Sequence, residues 1–265
     1  MTDDAVVLTV EDGIATILLN QPERRNAFTA ELKQGLKESL NEIDERDDVR
    51  CVVIEGAGNS FAAGGDIDRM VELLDSETTN ASRTKQICDG TNELVRRIAN
   101  LPVPTIAKID GPAAGAGASV AIACDLQLAS NRAVIGFVFT QVGLGVDTGV
   151  SYHLPRLVGT NVAKQLVYTG KLVSADEALE IGLVNEVFPR DEFDEKAGQL
   201  IEEIASGPTM ALRHSKRLID DGFDQSLESA MADEATAQGV LFDTADHREG
   251  LEAFKEDRDP DFSGE

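Results

Sequence analysis

Gly111-Pro112-Ala113-Ala114-Gly115-Ala116-Gly117-Ala118 and its earlier counterpart, Phe61-Ala62-Ala63-Gly64-Gly65-Asp66-Ile67, decide the reading of this chain. Each follows a β-like run and precedes a predicted helix. Small residues let a ligand approach the main chain, and a helix start leaves N–H groups without intrahelical partners. Two such turns can aim two N–H donors at one oxygen, the arrangement that stabilises an oxyanion. Taken singly, either turn is also an ordinary strand-to-helix connection or a phosphate cradle. A lone acid, Asp147 in Gly143-Leu144-Gly145-Val146-Asp147-Thr148-Gly149, is then the candidate for proton chemistry.

The flanking sequence places these turns in an α/β frame. Residues 6–10 and 14–19 bracket Glu11-Asp12-Gly13, a hairpin signature. Thr29 predicts the cap of a helix whose Leu32, Leu36, Leu40 and Ile43 recur at helical spacing. Residues 51–54 and 105–109 read as short buried strands. The polar stretch 75–84 reads as a mobile loop, and 87–98 as a helix ending near Asn100. After the second turn, 119–123 is helical, 126–129 and 134–138 are extended, and 150–158 and 162–168 are helical. Ser174-Ala175-Asp176-Glu177 has capping-box spacing, with Gly182 as the stop and 183–188 as a strand. From 191 to about 256 only helical patterns appear. The expected organisation is a β/α core over 1–190 and a helical assembly region over 191–265, with no repeats of 20–50 residues.

Composition narrows the function classes. The chain has 265 residues, 42% of them hydrophobic, enough for a sizeable core. Its net charge is −24, from 48 acidic and 24 basic residues. That balance argues against nucleic acid and against an anionic membrane surface. No apolar run is long enough to cross a bilayer. Met1-Thr2-Asp3-Asp4 is acidic and does not read as a signal peptide. Cys51, Cys88 and Cys124 are odd in number and lack metal spacing, so they read as reduced thiols of a cytoplasmic protein. His153, His214 and His247 are far apart, which gives no metal site. Acids spread along the chain, Arg commoner than Lys and no Trp suggest a surface adapted to a salty cytoplasm.

Several ordered segments resemble the enoyl-CoA hydratase/isomerase (crotonase) superfamily over nearly the whole chain. They are Asn20-Gln21-Pro22-Glu23-Arg24-Arg25-Asn26-Ala27-Phe28, the two glycine turns, Ala123-Cys124-Asp125-Leu126, Leu154-Pro155-Arg156-Leu157-Val158-Gly159, Thr169-Gly170, Ala178-Leu179-Glu180-Ile181-Gly182-Leu183-Val184 and Arg248-Glu249-Gly250-Leu251-Glu252-Ala253-Phe254. The resemblance implies a crotonase-like stacked ββα superhelix with a C-terminal helical appendage, assembled as a homotrimer or a dimer of trimers. It implies an acyl-CoA thioester substrate, with coenzyme A as part of that substrate and no separate cofactor. The oxyanion donors are then the N–H groups of Gly65 and Ala116. Ala116 stands where relatives usually carry Gly, which a main-chain donor tolerates if its backbone angles suit Ala.

The acid positions discriminate among members. Hydratases of this family use two glutamates; here those positions are Ser119 and Phe139, and neither is an acid. Asp147 instead fits the Gly-Leu-x-x-Asp-x-Gly turn of family isomerases, resembling 1,2-epoxyphenylacetyl-CoA isomerases and Δ3,Δ2-enoyl-CoA isomerases. The plainer role for Asp147 is to cap the helix that follows it. Leu144 and Val146 are expected to keep it dry and raise its pKa. The same turn resembles 4-chlorobenzoyl-CoA dehalogenase, but Asn92 occupies its histidine position and Phe139 its tryptophan position, which argues against dehalogenation.

The resemblance further implies that Arg24 and Arg25 meet the CoA phosphates, although an exposed pair of arginines can be a solvated surface. By the same resemblance Ala27, Ala63, Phe137, Phe139 and Ser119 line the substrate path, with buried packing the plainer role for Ser119. Phe254 corresponds to an aromatic that covers CoA; a nearby lysine of relatives is Asp257 here, with Arg258 adjacent. Three functions therefore stand: a CoA-thioester isomerase using Asp147, an enoyl-CoA hydratase of fatty acid β-oxidation working by an altered route, and a non-catalytic CoA-binding homologue.

Overall fold

The computed structural model describes residues 4–74 and 77–265. Strands β1 (Val6–Glu11) and β2 (Ile14–Leu19) form the expected hairpin. Its two-residue turn has Asp12 at φ 49° and Gly13 at φ 78°. Two positive φ values match the twist of an antiparallel pair, which is why Asp-Gly is favoured there. Helix α1 (Ala30–Asp44) starts where predicted, its Leu32 N–H donating to Thr29 Oγ1 at 3.1 Å. Strand β3 (Cys51–Gly56) leads into the first glycine turn.

Helices α2 (Ile67–Leu74), α3 (Asn80–Ile87) and α4 (Glu93–Ala99) follow. The expected loop over 75–84 is therefore half helix: Thr79 Oγ1 accepts from Ser82 N–H and starts α3 within it. No residue of α3 is buried, so no apolar stripe marked it. Asp75 and Ser76 lie outside the described residues, as do Met1, Thr2 and Asp3. The expected helix over 87–98 is interrupted at Gly90, whose φ −101° and ψ −111° are not helical.

Strand β4 (Thr105–Ile109) matches its expectation, and β5 (Pro112–Ala114) and α5 (Ala116–Ala123) form the second glycine turn. Strands β6 (Leu126–Ser130) and β7 (Val134–Gly136) follow. The run expected to stay extended to 138 ends at Gly136, because its antiparallel partner β8 (Leu172–Ser174) ends opposite it at Leu172. Residues 138–142 then make a 3-10 turn. Helix α6 (Val150–Thr169) joins the two predicted helices across a break at Gly159, φ 75° and ψ 160°. Helix α7 (Ala175–Glu180) is capped by Ser174, and β9 (Glu186–Phe188) is shorter than expected. Helices α8 (Arg190–Ala205), α9 (Thr209–Gly222), α10 (Leu227–Leu241) and α11 (Ala245–Glu256) complete the chain.

Six strands form one sheet in the order β1-β2-β3-β4-β6-β9, parallel except for β1. A second sheet has the order β5-β7-β8. Alternation divides the large sheet's side chains between two cores. Val52, Ile54, Ala107 and Ile109 enter the main one with α1, α4 and α5. Cys51, Val53, Ile106 and Leu128 enter another, covered by Phe193, Ala197, Ile201 and Ala205 of α8. The helical run after 190 thus begins with a helix that covers the sheet. Burial on both faces explains why β3 reads as a continuous apolar run. The C-terminus is tied back by Arg50, which donates to the Gly207 and Phe262 carbonyls, and by Asp246, whose carboxylate accepts the Ser263 and Gly264 N–H groups.

Candidate active site

The first glycine turn is held on both sides. On one side Ala63 N–H donates to the Arg25 carbonyl at 2.9 Å, and Phe28 N–H donates to the Gly64 carbonyl at 2.8 Å. On the other, Ala62 N–H donates to the Pro112 carbonyl at 3.2 Å and Ala114 N–H to the Ala62 carbonyl at 3.0 Å. The two turns therefore run side by side. Gly64 is at φ 95°, and a methyl there would lie 2.6 Å from the Ala114 oxygen and 3.4 Å from the Ala116 nitrogen. A methyl on Gly117 would run into the Ala62 carbonyl oxygen. Small residues are required because two backbones touch. Among the described residues, the Gly65 and Ala116 N–H groups donate to no protein acceptor, whereas Gly115 N–H is used by the Gly136 carbonyl at 2.9 Å. Ala116 is the first residue of α5, so Ala at that position fits helical backbone angles.

The loop before the first turn depends on a residue given no role by the sequence reading. Asn26 is fully buried at φ 54°. Its Nδ2 donates to the Ala57, Ser60 and Phe61 carbonyls at 3.0, 2.8 and 3.1 Å, and its Oδ1 accepts from Gln21 N–H at 2.9 Å. Asn tolerates left-handed backbone, and its amide pins the Arg24–Arg25 loop to the exit of β3. Replacing Asn26 by Ala is expected to lower stability by about 2–4 kcal/mol, because three buried carbonyls lose their donor. The midpoint and slope of urea unfolding would measure it.

The two arginines differ. Arg24 is paired with Asp66 at 3.2 Å and reaches Asp68 at 3.8 Å. Asp66 also accepts the Arg69 N–H at 3.2 Å, the bond of a helix-start residue. The Arg25 guanidinium is exposed and has no carboxylate partner among the described residues. Ala27 and Ala63 are half-buried beside this loop.

Asp147 lies just before α6 and is half-buried. It does not cap that helix: the cap residue is Gly149, without a side-chain hydrogen bond. The carboxylate Oδ1 instead accepts the Thr148 hydroxyl at 3.1 Å. Burial pushes the Asp147 carboxyl above the ordinary carboxylate range, opposed by hydrogen bonds from Thr148 and its own main chain. Val146 contributes by packing against the main core. Leu144 does not, being 51% exposed, which corrects its expected part in drying the site. His153, one turn along α6, is held below the usual imidazole range by burial and then by Arg156.

The remaining candidates divide. Phe137 and Phe139 are buried in the same core as Ala116 and Val150. Ser119 is fully buried, and its hydroxyl donates to the Gly115 carbonyl at 3.0 Å, which ties it to the start of α5. Phe254 projects from α11 at 87% exposure. The structure thus joins the Arg25 loop to the two turns through main-chain hydrogen bonds. Asp147 joins the same body through α6, whose Val150 and Leu154 share the core of α5. The three cysteines are free, Cys51 and Cys124 buried and Cys88 exposed. Burial pushes the Cys51 thiol up to about 12, so it is inert at neutral pH.

Mostly parallel strands, with two adjoining glycine turns whose Gly65 and Ala116 N–H groups bond no protein acceptor among the described residues, define the α/β class of this chain. Residues 9–265 match the Enoyl-CoA hydratase/isomerase family. The chain is 35% identical to the 1,2-epoxyphenylacetyl-CoA isomerase of Escherichia coli (strain K12) over 256 residues, 96% of this chain and 97% of that protein. It is also 35% identical to the short-chain-enoyl-CoA hydratase of Clostridium acetobutylicum, over 96% of this chain and 95% of that one. The solved enoyl-CoA hydratase of Bacillus anthracis superposes with a TM-score of 0.91 at 32% identity, covering 98% of this chain and all of that one. The chain belongs to the enoyl-CoA hydratase/isomerase (crotonase) superfamily, with that family's two-sheet α/β fold and C-terminal helices. It is a family enzyme of acyl-CoA metabolism. Among the described residues, no helix is long and apolar enough to cross a membrane.

Proposed function

We propose that this protein moves a C=C bond within an enoyl- or arylacyl-CoA thioester, with Asp147 as the single acid/base. The observation that carries this is a half-buried carboxylate, free of helix capping, in a chain with Ser119 and Phe139 at the hydratase acid positions. Ionised Asp147 takes a proton from C2. The electron pair moves into the thioester carbonyl, giving a dienolate whose oxygen accepts the Gly65 and Ala116 N–H groups. Protonated Asp147 then returns the proton at C4, and the double bond ends between C2 and C3. Protons balance, and one carboxyl suffices.

A second reading, hydration, draws support from the equal identity to the Clostridium acetobutylicum hydratase. Incubation of enoyl-, dienoyl- and arylacetyl-CoA thioesters in heavy water at high salt separates the readings. Deuterium at C2 or C4 supports isomerisation, and a 3-hydroxyacyl product supports hydration. No exchange with any thioester leaves only CoA binding.

In the same reading, Arg25 meets the CoA phosphates, since Arg24 is already engaged by two carboxylates. Arg25→Ala is expected to raise KM for acyl-CoA about tenfold with kcat within about twofold, and Arg24→Ala to do less. The difference should shrink with added salt as screening grows. Steady-state kinetics across a salt series would check this.

The assembly assigned to 191–265 is a homotrimer or a dimer of trimers. Phe223, Leu227, Met231 and Phe242 are each more than half exposed on this region, an apolar surface of the kind a partner subunit covers. Light scattering reads the mass directly. A net charge of −24 suits a salt-rich cytoplasm, where ions screen the self-repulsion.

A further inference from the structure

The helical path between Asn80 and Ala99 is kinked within Cys88–Asn92, where Gly90 leaves helical angles. The kink sets Asn92 directly before α4, whose Leu94, Val95 and Ile98 are buried. Asn92 is thus mounted on a packed element, while its own side chain lies in a half-buried position. Its Oδ1 accepts the Thr148 main-chain N–H at 3.1 Å.

That N–H belongs to a β-branched residue at φ 49°, a backbone region such residues disfavour. A conformation of this kind persists where its surroundings hold it. Thr148 is 3% exposed, and its hydroxyl donates to Asp147 Oδ1 at 3.1 Å. One residue therefore bonds Asn92 through its main chain and the candidate acid through its side chain. The next residue is confined as well: a methyl on Gly149, at φ 79°, would lie 3.3 Å from Val95 Cγ1 and 3.1 Å from His153 Cδ2.

We infer that Asn92 is a positioning residue, fixing the left-handed turn at Thr148 and through it the aim of the Asp147 carboxylate. This rests on the reading of Asp147 as the acid/base. The charged groups of the neighbouring elements leave Asn92 this role. On α4, Glu93 is engaged by Arg96 at 2.8 Å. On α6, Arg156 stacks on Tyr152 with its guanidinium 3.5 Å from the ring centroid, and it lies 3.8 Å from Asp224. His153 is held toward its neutral form. None of these is paired with Asp147, so neutral hydrogen bonds orient it.

The test uses the full chain with 3-hexenoyl-CoA as probe. Asn92→Ala is expected to lower kcat about thirtyfold with KM within about threefold, the size of effect a displaced catalytic group produces. Asn92→Asp keeps the acceptor, so kcat on the alkaline plateau should stay within about threefold of wild type. Its added charge should move the acid limb of the pH–rate profile up by about one unit. A merely structural residue would lower the melting temperature without this split. The inference is overturned if Asn92→Ala keeps wild-type kcat, or if Asn92→Asp is as slow as Asn92→Ala at every pH. Asp147→Asn in parallel separates the two claims. Full activity there, or no wild-type turnover of the probe, removes the reading of Asp147 and this inference with it. Loss of activity there beside an unaffected Asn92→Ala removes the inference alone.

Discussion

Asp147→Asn is expected to reduce isomerisation about a thousandfold while acyl-CoA binding stays within about twofold of wild type. The substitution keeps the size of the side chain and its bond from the Thr148 hydroxyl but removes the proton acceptor. A positioned general acid/base typically supplies about 10²–10⁴ in rate, which sets the size of the loss. Burial raises the Asp147 carboxyl, so the wild-type acid limb should fall above the ordinary carboxylate pKa of about 4. Rate should rise with pH through that limb, because the ionised form is the base. The same shift fixes the stability response. A carboxyl raised in the folded state binds its proton more tightly there than in the unfolded chain. Its ionised form therefore opposes folding above the folded pKa, and the opposition vanishes below the unfolded value. Asp147→Asn should melt no lower than wild type at pH 7. Calorimetry distinguishes this from a variant that is inactive because it is unfolded. Full activity in that variant would end the assignment of Asp147.

What the chain discloses without coordinates divides by the range of the interactions involved. Thr29 and the leucines of α1 were readable because cap and stripe lie within one helix. The Asp12-Gly13 hairpin was readable because its turn demands two positive φ values within two residues. The glycine turns were readable as places of close approach, but not what they approach: Gly117 needs its missing Cβ because of Ala62, far away in sequence. Asn26 and Asn92 were invisible as supports, since their partners lie 31 to 35 and 56 residues away. Leu144 misled for a related reason. An apolar neighbour in sequence says nothing about which side of a turn meets solvent. Helix α3 hid because none of its residues is buried, leaving only the Thr79 cap as a cue.

Gly117→Ala should lower kcat by roughly 10²–10³ although the residue carries no functional group, and Ala116→Gly should leave activity nearly unchanged. The first adds one methyl on α5, where the Ala62 carbonyl oxygen, carbon and Cβ already occupy the space. These are main-chain atoms of the neighbouring turn and a Cβ fixed to it, so no flexible side chain can give way. The two turns must move apart, breaking the register set by the Ala114 N–H bond to Ala62. The two N–H groups proposed to serve one oxygen then no longer share it. Loss of one such donor costs about 3–4 kcal/mol, or roughly 10²–10³ in kcat. Overpacking adds about 1–3 kcal/mol of instability, so the fold should survive and the kinetic loss should exceed the stability loss. Ala116→Gly alters only a side chain beside a main-chain donor, and should cost at most about 1 kcal/mol through backbone freedom at the start of α5. Kinetics with each variant, alongside binding of a non-reactive acyl-CoA, separates the outcomes. Retained kcat in Gly117→Ala would mean that the N–H groups of Gly65 and Ala116 do not act on one oxygen.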